Sequence, residues 1–171
     1  APRDRHLQAW AAEAAGGEPR ALTSAESHSI AHAAARDVVA FDRLDASGVH
    51  IWRMSGDGSG QRQLTSGAGE QVGALSPDGR WVAFVPYDAP RTVSLVSVET
   101  GQVSAFTSNT GGIGGFSPDG TKLLLGQLEA DANGLQRTVW TAFAVPGGAP
   151  LATFRLPASA IRPSVAAQGL M

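Results

Sequence analysis

Ser76-Pro77-Asp78-Gly79-Arg80-Trp81-Val82-Ala83-Phe84 returns 41 residues later as Ser117-Pro118-Asp119-Gly120-Thr121-Lys122-Leu123-Leu124-Leu125. Proline presets φ, aspartate accepts hydrogen bonds from nearby amides, and glycine takes the positive φ of a hairpin exit, so each Ser-Pro-Asp-Gly predicts a turn. Ser76, Pro77, Asp78 and Gly79, with Ser117, Pro118, Asp119 and Gly120, are therefore assigned structural turn roles. The segments that follow, Trp81–Val85 and Leu123–Leu125, are apolar without alternation. A strand with one wet face alternates, so these strands belong to sheets covered on both sides.

Other landmarks keep the same spacing. The threonines of Leu22-Thr23-Ser24, Leu64-Thr65-Ser66 and Phe106-Thr107-Ser108 stand 42 residues apart twice, a looser copy at Ala152-Thr153-Phe154 follows after 46, and Trp10 and Trp52 repeat the 42-residue step. A constant period of this size marks stacked supersecondary units. Strands are expected at about 70–75, 80–86, 92–98 and 102–107 in one repeat and at 112–116, 121–127, 137–145 and 149–154 in the next, four per unit. The chain is thus predicted to be all-β: one array over 1–171, with outer strands of a partial unit in 1–26, whole units in 27–66, 67–108 and 109–156, and the start of a further unit in 157–171.

Two local signals oppose this register. Leu7, Trp10, Ala11 and Ala14 have helical spacing, and Thr23-Ser24-Ala25-Glu26 has the form of a capping box before Ile30–Ala35. The repeat nevertheless places strands there, because tertiary pairing overrides weak propensity. Val38-Val39-Ala40-Phe41 matches Trp81–Phe84, while Ala34-Ala35-Arg36-Asp37 stands one residue short where the turn belongs, which predicts a looser hairpin.

Ile51-Trp52-Arg53-Met54, Asp57-Gly58-Ser59, Arg62-Gln63-Leu64-Thr65 and then Ser76–Phe84 together resemble the TolB-like, WD40-like β-propeller repeat, most strongly over 49–125. The resemblance implies a partial β-propeller of about four blades of four-stranded antiparallel sheets, cut from a ring of six or seven, or else closed by its own terminal strands. Similar repeats occur in periplasmic TolB, in sensor halves of bacterial kinases and transcription regulators, and in propellers of prolyl-oligopeptidase-type peptidases. It favours a periplasmic or extracytoplasmic setting.

Composition narrows the chemistry. The chain of 171 residues is 43% apolar, enough for a sizeable core. Its 13 basic and 15 acidic residues are scattered and sum to −2, so no basic stripe awaits nucleic acid. No run is apolar and long enough for membrane insertion by this segment. Absence of cysteine removes disulfides, thiolate metal sites and thiol nucleophiles. No serine sits in Gly-x-Ser-x-Gly. His28 and His32 are four apart, yet no glutamate pattern accompanies them. Gly111-Gly112-Ile113-Gly114-Gly115-Phe116 precedes a hairpin rather than a helix, so its glycines are expected to relieve crowding on an inner strand. Ser55–Gly60 carries a single carboxylate and is read as a turn rather than a calcium loop. Trp10, Trp52 and Trp140 fall in corresponding strands and are expected to pack blades.

No catalytic, cofactor or metal residues are therefore assigned. The expected function is a non-catalytic module for binding or sensing a protein or peptide partner, with self-association through open terminal blades as a further expectation. The alternative is a fragment of the gating propeller of a prolyl-oligopeptidase-type serine peptidase.

Overall fold

A computed structural model describes residues 6–107, 110–130 and 136–155. The strands are β1 (Trp10–Ala11), β2 (Arg20–Ala21), β3 (His28–Ala35), β4 (Val38–Asp45), β5 (Gly48–Ser55), β6 (Arg62–Gln63) and β7 (Glu70–Leu75). They continue as β8 (Trp81–Pro86), β9 (Val93–Ser97), β10 (Val103–Thr107), β11 (Thr110–Phe116), β12 (Lys122–Ala130), β13 (Gln136–Ala144) and β14 (Pro150–Arg155). No helix occurs among the described residues. Each of β3–β6, β7–β10 and β11–β14 is an antiparallel meander of four strands, and β1–β2 is an antiparallel pair. The described residues thus hold, in chain order, two strands of a first blade (β1–β2) and three complete blades, the second (β3–β6), third (β7–β10) and fourth (β11–β14). The segment 157–171, expected to start another blade, lies outside the described residues.

The non-alternating strands find apolar partners on both sides. Val82 and Phe84 join Ala40, Ile51, Leu64 and Val72 between the second and third blades. Ala83, with Trp81 and Val85 partly buried, joins Leu95, Phe116, Leu123 and Leu125 between the third and fourth. Leu124 faces the other way, with Trp140, Ala142 and Phe154. Full burial of such side chains is worth about 1.5–3 kcal/mol each, which is why period-two polarity is missing here.

Where helical spacing competed with the repeat, the structure has strands. Trp10 pairs with Ala21 and Ala11 with Arg20, because Ala9, Leu22 and Ala11 cover Val39, Phe41 and Met54 of the second blade. Trp10 itself is 57% exposed, whereas Trp52 is partly buried and Trp140 is buried. Corresponding strands therefore do not give all three tryptophans the packing role expected of them: among the described residues, Trp10 joins no hydrophobic cluster.

The Ser-Pro-Asp-Gly turns repeat their principal hydrogen bonds. Gly79 N donates to Ser76 O at 2.8 Å, and Gly120 N to Ser117 O at 2.8 Å. Ser76 Oγ donates to Asp78 Oδ1 at 2.6 Å and accepts from Trp81 N at 2.9 Å. Ser117 Oγ donates to Asp119 Oδ1 at 2.5 Å and accepts from Lys122 N at 2.9 Å. These turns also touch: a Cβ on Gly79 would lie 3.2 Å from Val38 Cγ2, and one on Gly120 would lie 3.5 Å from Asp78 Cγ. The shortened connection Arg36-Asp37 is a two-residue turn with pairing kept to Ala35 and Val38. With two residues fewer than lie between Ser76 and Trp81, this hairpin is tighter instead of looser, at the expense of a positive φ of 53° at Arg36.

Threonine and arginine account for the remaining periodicity. Thr23 Oγ1 accepts from Ala9 N and Thr65 Oγ1 from Ile51 N, both at 3.0 Å. Arg20 bonds Gly56 O and Asp57 O, while Arg62, 42 residues later, bonds Val98 O and Glu99 O. Each guanidinium thereby straps an outer strand to the next blade's turn.

Candidate binding site at one end of the sheets

The meander puts the Ser-Pro-Asp-Gly turns at one end of the blades and the loops at 46–47, 66–69 and 87–92 at the other. The first strands of the three complete blades, β3, β7 and β11, pack against one another and so form the inner side of the array. Two imidazole–carboxylate pairs lie in this region.

The first pair is buried. His50 Nδ1 lies 3.1 Å from Glu70 Oε2, and His50 Nε2 lies 2.9 Å from Ser47 Oγ. Glu70 Oε2 also accepts from Thr65 Oγ1 at 3.0 Å, and Glu70 Oε1 from Gly67 N at 2.6 Å. Serine, histidine and glutamate here stand in the spatial order of a nucleophile, its base and an orienting acid. The serine is differently committed, however: Ser47 Oγ donates to Asp45 Oδ1 at 2.5 Å and Ser47 N at 2.7 Å. Those bonds hold the Asp45 carboxyl below its ordinary range and direct the hydroxyl proton away from the imidazole. With His50 2% and Glu70 3% exposed, this is a satisfied polar lock joining the second blade to the third. Sequence reading missed it, because Ser47 and His50 belong to no repeated motif and Glu70 is adjacent only in space.

The second pair is partly open. His32 Nε2 lies 2.7 Å from Asp42 Oδ2, with the side chains 25% and 8% exposed. Asp42 Oδ1 accepts from Val72 N, on the next blade, at 3.1 Å. Burial pushes the Asp42 carboxyl up; the Val72 amide and His32 oppose this, and the Glu70 charge adds to it. His28, which shares the strand, has a different neighbour: its ring lies edge-on to His6 at 6.4 Å. The two histidines are thus not brought together, and the described residues hold no cluster of three or more metal-binding side chains.

Tyr87 completes the region. It is 52% exposed, its amide donates to Gly69 O at 2.9 Å, and its ring lies so close to Gly69 that a Cβ there would come within 2.8 Å of Cδ2. Burial, then the Asp42 and Glu70 charges, raise the Tyr87 hydroxyl above its ordinary value. An aromatic ring therefore stands on a rigid support within the field of two carboxylates.

Of the glycines in β11, Gly114 answers to packing, while a Cβ on Gly112 or Gly115 would meet nothing within 4 Å. A Cβ on Gly114 would meet Trp140 Cζ3 at 2.9 Å and Leu124 Cδ2 at 3.2 Å. The close approach is to the strand's own sheet rather than to the axis.

No family model and no curated relative matches the chain. Solved structures do. Oligogalacturonate lyase in complex with manganese gives a TM-score of 0.60 at 15% identity, over 85% of this chain and 46% of that one. Pyrococcus horikoshii acylaminoacyl peptidase gives 0.59 at 14%, over 78% and 25%. A structure assigned as TolB from Agrobacterium tumefaciens gives 0.54 at 16%, over 72% and 43%. The chain spans less than half the length of each, and identities this low carry fold alone. Three meander blades packed face to face, converging first strands and these likenesses together identify a β-propeller-type fold.

Proposed function

We propose that this propeller segment is a non-catalytic module that binds a peptide or protein partner at the end framed by the loops at 46–47, 66–69 and 87–92. The supporting observation is Tyr87, a half-exposed aromatic side chain braced on Gly69. Aromatic anchors of this kind dominate binding energy at protein surfaces, and rigid scaffolds carry recognition on their loops. The Ser47–His50–Glu70 arrangement serves the fold, its hydroxyl being held by Asp45.

A second assignment is a piece of a gating propeller in a peptidase. It draws on the likeness to the β-propeller domain of the Trilobed protease from Pyrococcus furiosus, at a TM-score of 0.57 and 16% identity over 78% of this chain. In that case the same loops would meet a separate catalytic domain.

Selection of displayed peptides against the chain tests the first assignment. Enriched peptides should lose about tenfold or more in affinity with Tyr87→Ala and little with Tyr87→Phe. Indifference to Tyr87→Ala, or covalent labelling of Ser47 by a fluorophosphonate with esterase activity abolished by Ser47→Ala, would overturn it.

A further inference from the structure

Repeat symmetry isolates His32 and Asp42. The inner hairpin of every complete blade has a bulge whose extra residue is His32 between Ala31 and Ala33, Gly73 between Val72 and Ala74, or Gly114 between Ile113 and Gly115. The pairing also makes Val85 and Gly126 the counterparts of Asp42, since each lies opposite the inner-strand residue just before the last one preceding the bulge. Two blades thus build the same hairpin with a glycine and an uncharged partner. At Gly73 a Cβ would run into Ile113 Cδ1, so a side chain there would require Ile113 to move. Of the three described complete blades, only the second places an imidazole and a buried carboxylate at these positions, although burying a carboxylate is unfavourable. The Val72 amide accounts for one oxygen of Asp42, but nothing in the repeat calls for the imidazole on the other.

The bonding fixes what the imidazole offers. An ionised carboxylate only accepts, and Asp42 Oδ1 is already engaged by the Val72 amide, so the Nε2 of His32 carries the proton directed at Oδ2. Nδ1 makes no hydrogen bond among the described residues, and a quarter of the side chain is exposed. In the neutral ring that nitrogen is an acceptor. The nearby charges of Asp42 and Glu70 and the exposed Tyr87 ring all favour a cation.

We infer that His32, oriented by Asp42, is a specificity residue that accepts a hydrogen bond from a cationic side chain, lysine or arginine, of a bound peptide. This rests on the proposed binding role of the same end of the propeller. Asp42 positions the ring, and Tyr87 offers its face.

The test uses two probes, acetyl-Gly-Lys-Gly-amide and its neutral counterpart with norleucine in place of lysine. The lysine peptide should bind about tenfold or more tightly and shift the His32 Nδ1 resonance in the unmodified protein. The double variant His32→Gly, Asp42→Val installs what the third blade has at both positions, so it should fold cooperatively, with a melting midpoint lowered by no more than the loss of the Val72 amide's acceptor accounts for. Its preference for lysine should fall below about twofold. A preference that survives the double variant, or a His32 resonance that ignores the lysine peptide, overturns the inference. If both peptides bind equally and Tyr87→Ala weakens both, this inference fails while the binding role stands. If neither peptide binds at millimolar concentration, both fail.

Discussion

The second and third blades make the same inner hairpin by different means. In the third, Ser76-Pro77-Asp78-Gly79 closes it with a buried hydroxyl that serves two amides and a carboxylate, and with a glycine at φ 73°. In the second, two residues suffice, and Arg36 bears a φ of 53° with no glycine to take it. Strand register in both is nevertheless fixed by the apolar residues between the blades, Ala40 and Ile51 against Val72 and Val82. Turn chemistry is thus replaceable where packing sets the register. The same contrast separates His32–Asp42 from Gly73–Val85: one blade was free to depart from the repeat where its neighbour was not.

The contrast can be broken most forcefully at Gly79. Gly79→Val puts a β-branched residue at positive φ and its Cβ 3.2 Å from Val38 Cγ2, so urea unfolding should show a loss of about 1–3 kcal/mol. Asp57→Ala, in an exposed turn, should cost much less in the same titration. Equal and negligible effects would remove the distinction between a backbone position that demands a left-handed glycine and an exposed side chain in a turn.

At Arg36 the sign reverses. Arg36→Gly relieves the left-handed backbone of the two-residue turn and should stabilise the chain by about 1 kcal/mol or less, read from the urea midpoint. A destabilisation would mean that the arginine side chain, and not the turn geometry, holds that hairpin.

The smallest effect concerns acid. The Ser117 hydroxyl, then the Thr121 amide and hydroxyl, hold the Asp119 carboxyl down from 3.8 to about 2. Its contribution to stability is therefore complete above the ordinary value and is lost as pH falls through the interval toward about 2. Carbon-detected NMR should place the Asp119 midpoint near the lower figure, and Asp119→Asn should flatten that part of the acid limb.

Much of the architecture was legible because the repeat is written in residues with local consequences. Proline, aspartate and glycine act within a turn, and uninterrupted apolar runs at Trp81–Val85 and Leu123–Leu125 signal two covered faces. The Arg20 and Arg62 straps were also present at the 42-residue spacing but escaped notice, since arginine on an outer strand looks like ordinary surface. The exposure of Trp10 could not be read at all, because it depends on a neighbouring blade surface that the strand itself does not encode. The candidate site was hardly legible. His32 and Asp42 are ten positions apart, and His50 and Glu70 come from different blades.

The sequence by itself determined the strand content, the period and the chemistry of the turns, because these follow from backbone preferences and burial that each repeat expresses alone. Only the tertiary structure decided which imidazole meets which carboxylate, which serine hydroxyl is spent on Asp45 and which tyrosine stands on Gly69. Such contacts arise when separate repeats are brought edge to edge, and hydrogen bonds, acting over about 3 Å, register spatial neighbours that spacing along the chain does not specify.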